Sequence, residues 1–283
     1  MNKILVLPCL LLLIASSVAA QETTWKRYTV KGEEFSIELP TLPALTTKHD
    51  PKTETSNESW RRYFGVFADG IVYTIYSLED GNPQKALKNS AQGIGTHLAW
   101  DSNSKQELTR NGFKGKQVSS SHSLAATAQL FATKNRFYSF QAVGAPADDP
   151  RVQRFFSSLI LGKNDEAIEV TDGDGIPEEP PSNSDNAQNY TGKEVDRKAL
   201  LVMKIEPSYT EDARQAQVTG TVILKAVFAS NGSVTNLRIV SALPHGLTEN
   251  AVQMTKRIKF IPAMKDGKFV SIWMQFEYNF NLF

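Results

Sequence analysis

The stretch Val270-Ser271-Ile272-Trp273-Met274-Gln275-Phe276-Glu277-Tyr278-Asn279-Phe280-Asn281-Leu282 alternates with a period of two. Val270, Ile272, Met274, Phe276, Tyr278, Phe280 and Leu282 fall on one face. Ser271, Gln275, Glu277, Asn279 and Asn281 fall on the other, interrupted only by Trp273. One apolar and one wet face is the pattern of an antiparallel strand covered on a single side. Upstream, Thr221–Ala229 and Val234–Ser241 read as two strands joined across Asn231-Gly232, a strong hairpin signal. Between hairpin and last strand, Leu247, Ala251, Met254 and Ile258 recur at helical spacing from a start near His245-Gly246. Lys256, Arg257 and Lys259 crowd the end of that helix, where its dipole favours cations. Residues 196–283 therefore read as an α+β domain with helices on one side of an antiparallel sheet.

The local residues in this order resemble the C-terminal domain of the TonB family, from Ile205 to Leu282. Pro207-Ser208-Tyr209-Thr210-Glu211-Asp212-Ala213-Arg214 is similar to the family's Pro-x-Tyr-Pro-x-x-Ala-Arg. Gly220-Thr221-Val222 matches its Gly-x-Val strand start, and Ser230-Asn231-Gly232-Ser233-Val234 its hairpin. Lys259-Phe260-Ile261-Pro262-Ala263, then Gly267 and Val270, match its Phe-x-Pro-Ala loop into the last strand. The resemblance implies a three-stranded antiparallel sheet with two helices, and a non-enzymatic module that binds an outer-membrane receptor. Binding there is strand addition, in which backbone hydrogen bonds give affinity and alternate side chains give selectivity. The positions carried over are Pro207 and Ser208, which lie in a segment implied to touch the receptor. With them goes the edge Val270, Ser271, Ile272, Trp273, Met274, Gln275 and Phe276. Two positions depart from the pattern: Thr210 stands for a proline, and Ile258 for a tryptophan. The upstream region also departs, reading as a cleavable signal, a folded domain and a short acidic linker where the family has a retained membrane helix and a long proline-rich spacer.

Composition narrows the remaining possibilities. The chain has 283 residues, 41% apolar and 22% charged, enough for a real core in about two domains. With 31 basic and 30 acidic residues, its net charge of +1 gives no electrostatic footprint for nucleic acid. Its single cysteine, Cys9, precludes an intramolecular disulfide or a thiolate metal site. Lys3 followed by the apolar run Ile4 to Ala15 and by Val18-Ala19-Ala20 fits a secretory signal cleaved after Ala20. The expected location of the mature chain is the periplasm. An uncleaved anchor is the alternative.

Residues 22–162 read as a mixed domain, an α/β sandwich with an antiparallel sheet. Trp25–Val30 and Phe35–Leu39 look like short strands, and Trp60–Phe67 and Ile71–Leu78 a hairpin across Asp69-Gly70. Asn82-Pro83 opens a helix with Ala86, Ala91 and Ile94 at roughly helical spacing. Strands follow at Gly115–His122, Ala126–Thr133 and Arg136–Val143. Asp148-Asp149-Pro150 then starts a helix with the apolar stripe Val152, Phe155, Phe156 and Leu159. Trp25-x-x-Tyr28, Phe35-Ser36-Ile37-Glu38-Leu39-Pro40 and Phe155-Phe156-Ser157-Ser158-Leu159 loosely resemble PsbP-type α/β sandwiches, a likeness that implies no site. Residues 163–195 read as a flexible acidic linker. Asp165, Glu166, Glu169, Asp172, Asp174, Glu178, Glu179 and Asp185 lie there with three prolines, and no Lys or Arg occurs over 164–192.

No other chemistry stands out. His49, His97, His122 and His245 have no ligand spacing, and Ser119-Ser120-Ser121-His122 lacks a nucleophile elbow. Gly93-x-Gly95 lacks a third glycine. Thr171-Asp172-Gly173-Asp174-Gly175-Ile176-Pro177-Glu178 resembles a fragment of an Asp-rich calcium repeat, but Val170 and Pro181 hold two of the ligand places. No cofactor, metal, nucleic acid or small-molecule substrate is expected. The expectation is a periplasmic binding module acting by strand addition on an outer-membrane receptor or another envelope protein, with a possible link to TonB-dependent transport. The alternatives are a self-associating envelope scaffold, and a membrane-anchored energy transducer if the N-terminal segment is retained.

Overall fold

The computed structural model describes residues 24–50, 59–79, 81–89, 100–101, 104–120, 124–162, 166–172 and 189–282. The expected signal segment 1–20 with Cys9, and likewise Ala91, Gly93, Ile94, Gly95, His97, His122 and most of the Asp-rich motif, lie outside the described residues.

In chain order the elements are β1 (Lys26–Val30), β2 (Phe35–Leu39), β3 (Ala44–Asp50), β4 (Ser59–Ala68), β5 (Ile71–Glu79), α1 (Pro83–Asn89) and β6 (Gln106–Arg110). There follow β7 (Phe113–Ser120), β8 (Ala126–Ala132), β9 (Phe137–Val143), α2 (Pro150–Ser157), β10 (Ile160–Leu161) and β11 (Ile168–Val170). The C-terminal part comprises β12 (Leu200–Met203), α3 (Glu211–Gln215), β13 (Gly220–Phe228), β14 (Val234–Ser241) and α4 (Leu247–Lys256). It ends with β15 (Lys259–Ile261), β16 (Ala263–Lys265), β17 (Lys268–Val270) and β18 (Ile272–Phe280). The protein is a mixed α+β structure built mainly of strands.

Residues 24–170 form two sheets. A seven-stranded antiparallel sheet runs β3-β4-β5-β9-β8-β7-β6, and a four-stranded sheet runs β10-β2-β1-β11. The small sheet and α2 cover one face of the large one, burying Phe35 edge-on against Phe64, Tyr138 and Phe140 at 5.7, 5.5 and 5.3 Å. On the other face, α1 brings Leu87 to Val118, Leu130 and Phe137. With both faces covered, every residue of β8 and β9 is buried, which is why these central strands do not alternate in polarity. At the β4–β5 turn, Asp69 and Gly70 have φ of 48° and 81°, the paired left-handed geometry that Asp-Gly tolerates.

Within the large sheet, two strands have no counterpart in the sequence reading. Both β3 and β6 are edges of the large sheet, and β6 is polar but for Leu108 and largely exposed, so its pattern is weak. A third difference concerns the acidic stretch. Ile168–Val170, inside the expected linker, pairs in parallel with β1, from Tyr28↔Ile168 to Val30↔Val170. Val170 is buried there, and Asp172 Oδ1 accepts the Thr47 N–H at 2.9 Å. Ile168 stays 47% exposed, so the segment is held to the open edge of β1 by backbone pairing and by the single buried side chain of Val170.

In residues 189–282, β14-β13-β18 form a three-stranded sheet, with the pairs β12–β15 and β16–β17 beside it. The expected continuous strand from Val270 to Leu282 is interrupted. Val270 ends β17 opposite Ala263, Ser271 forms a break, and β18 starts at Ile272. The Asn231-Gly232 connection spans more than two residues, since Ala229 N–H reaches Ser233 O at 2.9 Å and Gly232 N–H reaches Ala229 O at 3.0 Å.

The two parts meet through an apolar cluster of Val72, Ala126 and Val143 with Val202 and Ile261. Phe67 packs edge-on against Phe269 at 6.0 Å, and Arg257 Nη1 donates to Thr46 Oγ1 at 2.9 Å. The C-terminal part thus covers the face of β4–β5 that the small sheet leaves open.

Candidate partner-binding edge

Sheet pairing and a packed underside set the position of β18. It pairs antiparallel with β13 throughout, from Gly220↔Phe280 to Phe228↔Ile272. Beneath it, Phe276, Tyr278 and Phe280 join Val222, Leu224, Phe228, Leu247, Ala251, Ile258 and Phe260 in one core. Phe228 stacks on Phe276 at 5.0 Å and tilts onto Phe260 at 4.2 Å. The Tyr278 hydroxyl lies 3.1 Å from Thr255 Oγ1, which itself donates to Ala251 O at 2.8 Å. Burial pushes the Tyr278 phenol up to about 12. This strand is a rigid shelf, held from one side and from below.

Thr210, where the resemblance implies proline, caps α3. Its Oγ1 accepts the Ala213 N–H at 3.1 Å and donates to His245 O at 2.5 Å, tying the start of α3 to the turn before α4. Ile258 is buried in the same core, so it serves as an apolar filler where a tryptophan is implied.

The exposed face of the sheet has an aromatic centre. Trp273 is flanked by Lys225 Nζ at 5.1 Å and by the Arg238 guanidinium at 5.0 Å, two cations over one ring. Lys225 lies on β13 and Arg238 on β14, and their register pairs them with each other. Sequence reasoning placed Trp273 on the polar face but gave no role to its two cationic neighbours, whose approach depends on strand pairing.

The expected site residues divide along the strand. Trp273, Met274, Gln275 and Phe276 share β18, with Gln275 exposed, Phe276 buried and Met274 packed against the core. Ile272 is buried at the start of the strand, and Ser271 Oγ accepts the Ser230 N–H at 3.1 Å. Val270 belongs to the neighbouring hairpin. Pro207 and Ser208 stand at the opposite end, because Tyr209 beside them packs edge-on against Phe280 at 5.4 Å and Ser208 O accepts from Asn250 Nδ2 at 2.9 Å. At about 3.3 Å per residue, β18 separates these ends by roughly 26 Å.

Among the described residues no further strand borders β18 on its outer side. One residue reaches it there. Tyr190 donates its N–H to Ser271 O at 2.9 Å and accepts the Trp273 N–H at 3.0 Å, a parallel bridge opposite Ile272. Since an antiparallel strand turns alternate residues to the same neighbour, the Gln275, Glu277 and Asn279 backbone groups face outward with that of Trp273. Nothing in the sequence signalled Tyr190, a lone aromatic after a polar stretch without periodicity.

Residues 205–282 match the family model described as Gram-negative bacterial TonB protein C-terminal. Among solved structures, the solution structure of the Pseudomonas aeruginosa TonB C-terminal domain is similar at 18% identity. That match covers 31% of this chain and 92% of that one, with a TM-score of 0.26. A crystal structure from Bacteroides thetaiotaomicron VPI-5482 is similar at 11% identity, covering 68% of this chain and 56% of that one, with a TM-score of 0.28. No curated protein matches the chain. The family likeness of this chain is thus to the TonB C-terminal domain, over residues 205–282.

Proposed function

We propose that the protein is an exported periplasmic TonB-family module that binds an outer-membrane receptor or another envelope protein by adding a strand to the outer edge of β18. TonB C-terminal domains interact with outer-membrane proteins, and the family is a non-enzymatic interaction domain of the cell envelope. The observation that carries the reading is the position of β18, last in its sheet with the backbone groups of Gln275, Glu277 and Asn279 facing outward. A long edge of this kind invites pairing with another chain, so an occupant gives it a purpose. Residues 1–20 act as a cleaved signal, residues 22–162 form a domain that accompanies the module, and the protein has no catalytic role. Cleavage is read by N-terminal sequencing of the exported protein: Gln21 supports it, and Met1 restores the anchored transducer.

The test of binding is affinity capture from detergent-solubilised outer membranes with residues 21–283 as bait. A Gln275→Pro variant, checked for folding, removes one outward N–H. Recovery of a receptor barrel by the parent and not by the variant supports strand addition at β18. Equal recovery by both would place binding elsewhere.

A second reading has its own observation. On β14, at the other edge of the same sheet, Ile239 and Val240 are 55% and 58% exposed. Two neighbouring apolar side chains beside an open edge favour pairing with a second copy, and a scaffold built from such pairs. Sedimentation at rising concentration separates the two, since only self-pairing gives a mass that climbs with concentration.

A further inference from the structure

The bridge at Tyr190 is anchored from several directions. Lys265 Nζ sits over the Tyr190 ring at 4.8 Å and donates to Glu194 O at 2.9 Å. The Thr191 N–H and hydroxyl both reach the Glu194 carboxylate, at 2.7 and 2.6 Å, and hold that carboxyl below its usual range. Farther along, the Asp196 and Arg197 N–H groups share Met264 O at 2.9 and 3.1 Å, and the Asp266 N–H reaches Asp196 Oδ2 at 2.7 Å. The segment 190–197 is therefore built onto the β16–β17 hairpin, and Tyr190 is its leading end.

We propose that this segment is a resident strand stub, an autoinhibitory contact that occupies the Ser271–Trp273 end of the β18 edge. A short incoming segment is confined to the Gln275–Asn279 part. A longer one has to displace Tyr190. Displacement exchanges two backbone hydrogen bonds for two others and is close to neutral, so the added pairs at Gln275, Glu277 and Asn279 drive it. With no partner present, the stub shortens the edge open to a second copy of this chain. The proposal rests on the strand-addition reading for what arrives at the edge, but the occupancy of that edge by Tyr190 does not.

Amide hydrogen exchange on the mature full chain, residues 21–283, tests it with no partner needed. In the parent, the Trp273 amide is expected to exchange at least tenfold more slowly than those of Gln275 and Glu277. Tyr190→Pro removes the donor to Ser271 O. Tyr190→Ala with Glu194→Ala loosens the anchor and leaves the backbone chemistry alone. Either change is expected to speed Trp273 exchange about tenfold while the Val222 and Tyr278 amides stay protected, which reports that the sheet is intact. A Trp273 amide as fast as Gln275 in the parent, or one unchanged by both variants, overturns the proposal. The two readings fail separately. A protected Trp273 with no receptor captured sinks strand addition and keeps the stub, and an unprotected Trp273 with a receptor captured does the reverse.

Discussion

Gly232 and Gly112 share a φ of 82° in unlike surroundings. A Cβ at Gly112 meets nothing within 4 Å, whereas one at Gly232 meets Phe67 Cδ1 at 2.3 Å, Cγ at 2.6 Å and Cβ at 2.8 Å. Gly112→Ala is expected to cost only the left-handed backbone penalty, about 1–2 kcal/mol. Gly232→Ala should cost that and about 1–3 kcal/mol more, because contact with Phe67 Cβ cannot be relieved by swinging the ring alone. Urea unfolding of the two variants measures the difference, and equal losses would mean that Phe67 yields freely. The Asp69-Gly70 turn was legible because positive φ selects its residue types. The Gly232 contact was not, because it joins residues far apart in sequence. Lys259 shows the same limit. It read as a helix-end cation, but a Cβ at Gly65 would meet its Cγ at 2.7 Å and Met203 Cε at 3.2 Å, so its stem is packed between the two parts. Burial pushes its amine down to about 8. Because the unfolded chain holds that proton up to 10.5, the folded state gains stability as pH rises from about 8 to 10.5. Lys259→Met is expected to stabilise the protein at pH 7 by up to about 3 kcal/mol, at 1.4 kcal/mol per pH unit. The advantage should fade towards pH 10.5, and a constant difference across that range would show an amine of ordinary basicity.

At the scale of elements, local chemistry was the readable part. The Asp149-Pro150 start of α2 is as the sequence suggests. Asp149 Oδ1 accepts the Arg151 N–H at 2.8 Å, and the Arg151 guanidinium grips both carboxylate oxygens at 3.0 and 2.7 Å. The Arg151 hydrogen bond holds the Asp149 carboxyl below its usual 3.8. Asp149→Ala is expected to cost about 1 kcal/mol near neutral pH, as a lost helix cap does. A depressed carboxyl stabilises the fold above its unfolded value and loses that contribution as pH falls through the folded one. The gap between parent and variant should therefore close below pH 3.8, as urea midpoints will report. A gap that persists there would assign the loss to packing rather than to the charged cap. Elements fixed by contacts at a distance were less legible. Alternation from Val270 to Leu282 predicts one strand, yet Ser271 breaks it by accepting from Ser230 with its side chain and from Tyr190 with its carbonyl. Periodicity records which face is apolar and is silent on where the backbone changes partner.

For the whole molecule the open question is whether its two parts behave as one. Charge and composition predict two domains on a flexible acidic tether, and pattern alone had no means of pairing their faces. The interface has the character of a core. Val72 and Val143 of the large sheet are fully buried against Val202 and Ile261, and Phe67 meets Phe269. A Cβ on Gly70 would lie 3.4 Å from the Phe269 ring, so the β4–β5 turn rests two residues before Ser271, where the β18 edge begins. This brings the first domain to the end of the edge that Tyr190 occupies. Tight docking predicts a single calorimetric transition for residues 21–283. Phe67→Ala and Phe269→Ala each remove one side of the aromatic contact, and a double-mutant cycle should give a coupling of about 0.5–1.5 kcal/mol. The double variant is also expected to split the transition, because each domain retains its own aromatic core while the bridge between them is weakened. Zero coupling with two transitions already present in the parent would make the interface incidental, and the first domain would then exert no influence on what reaches β18.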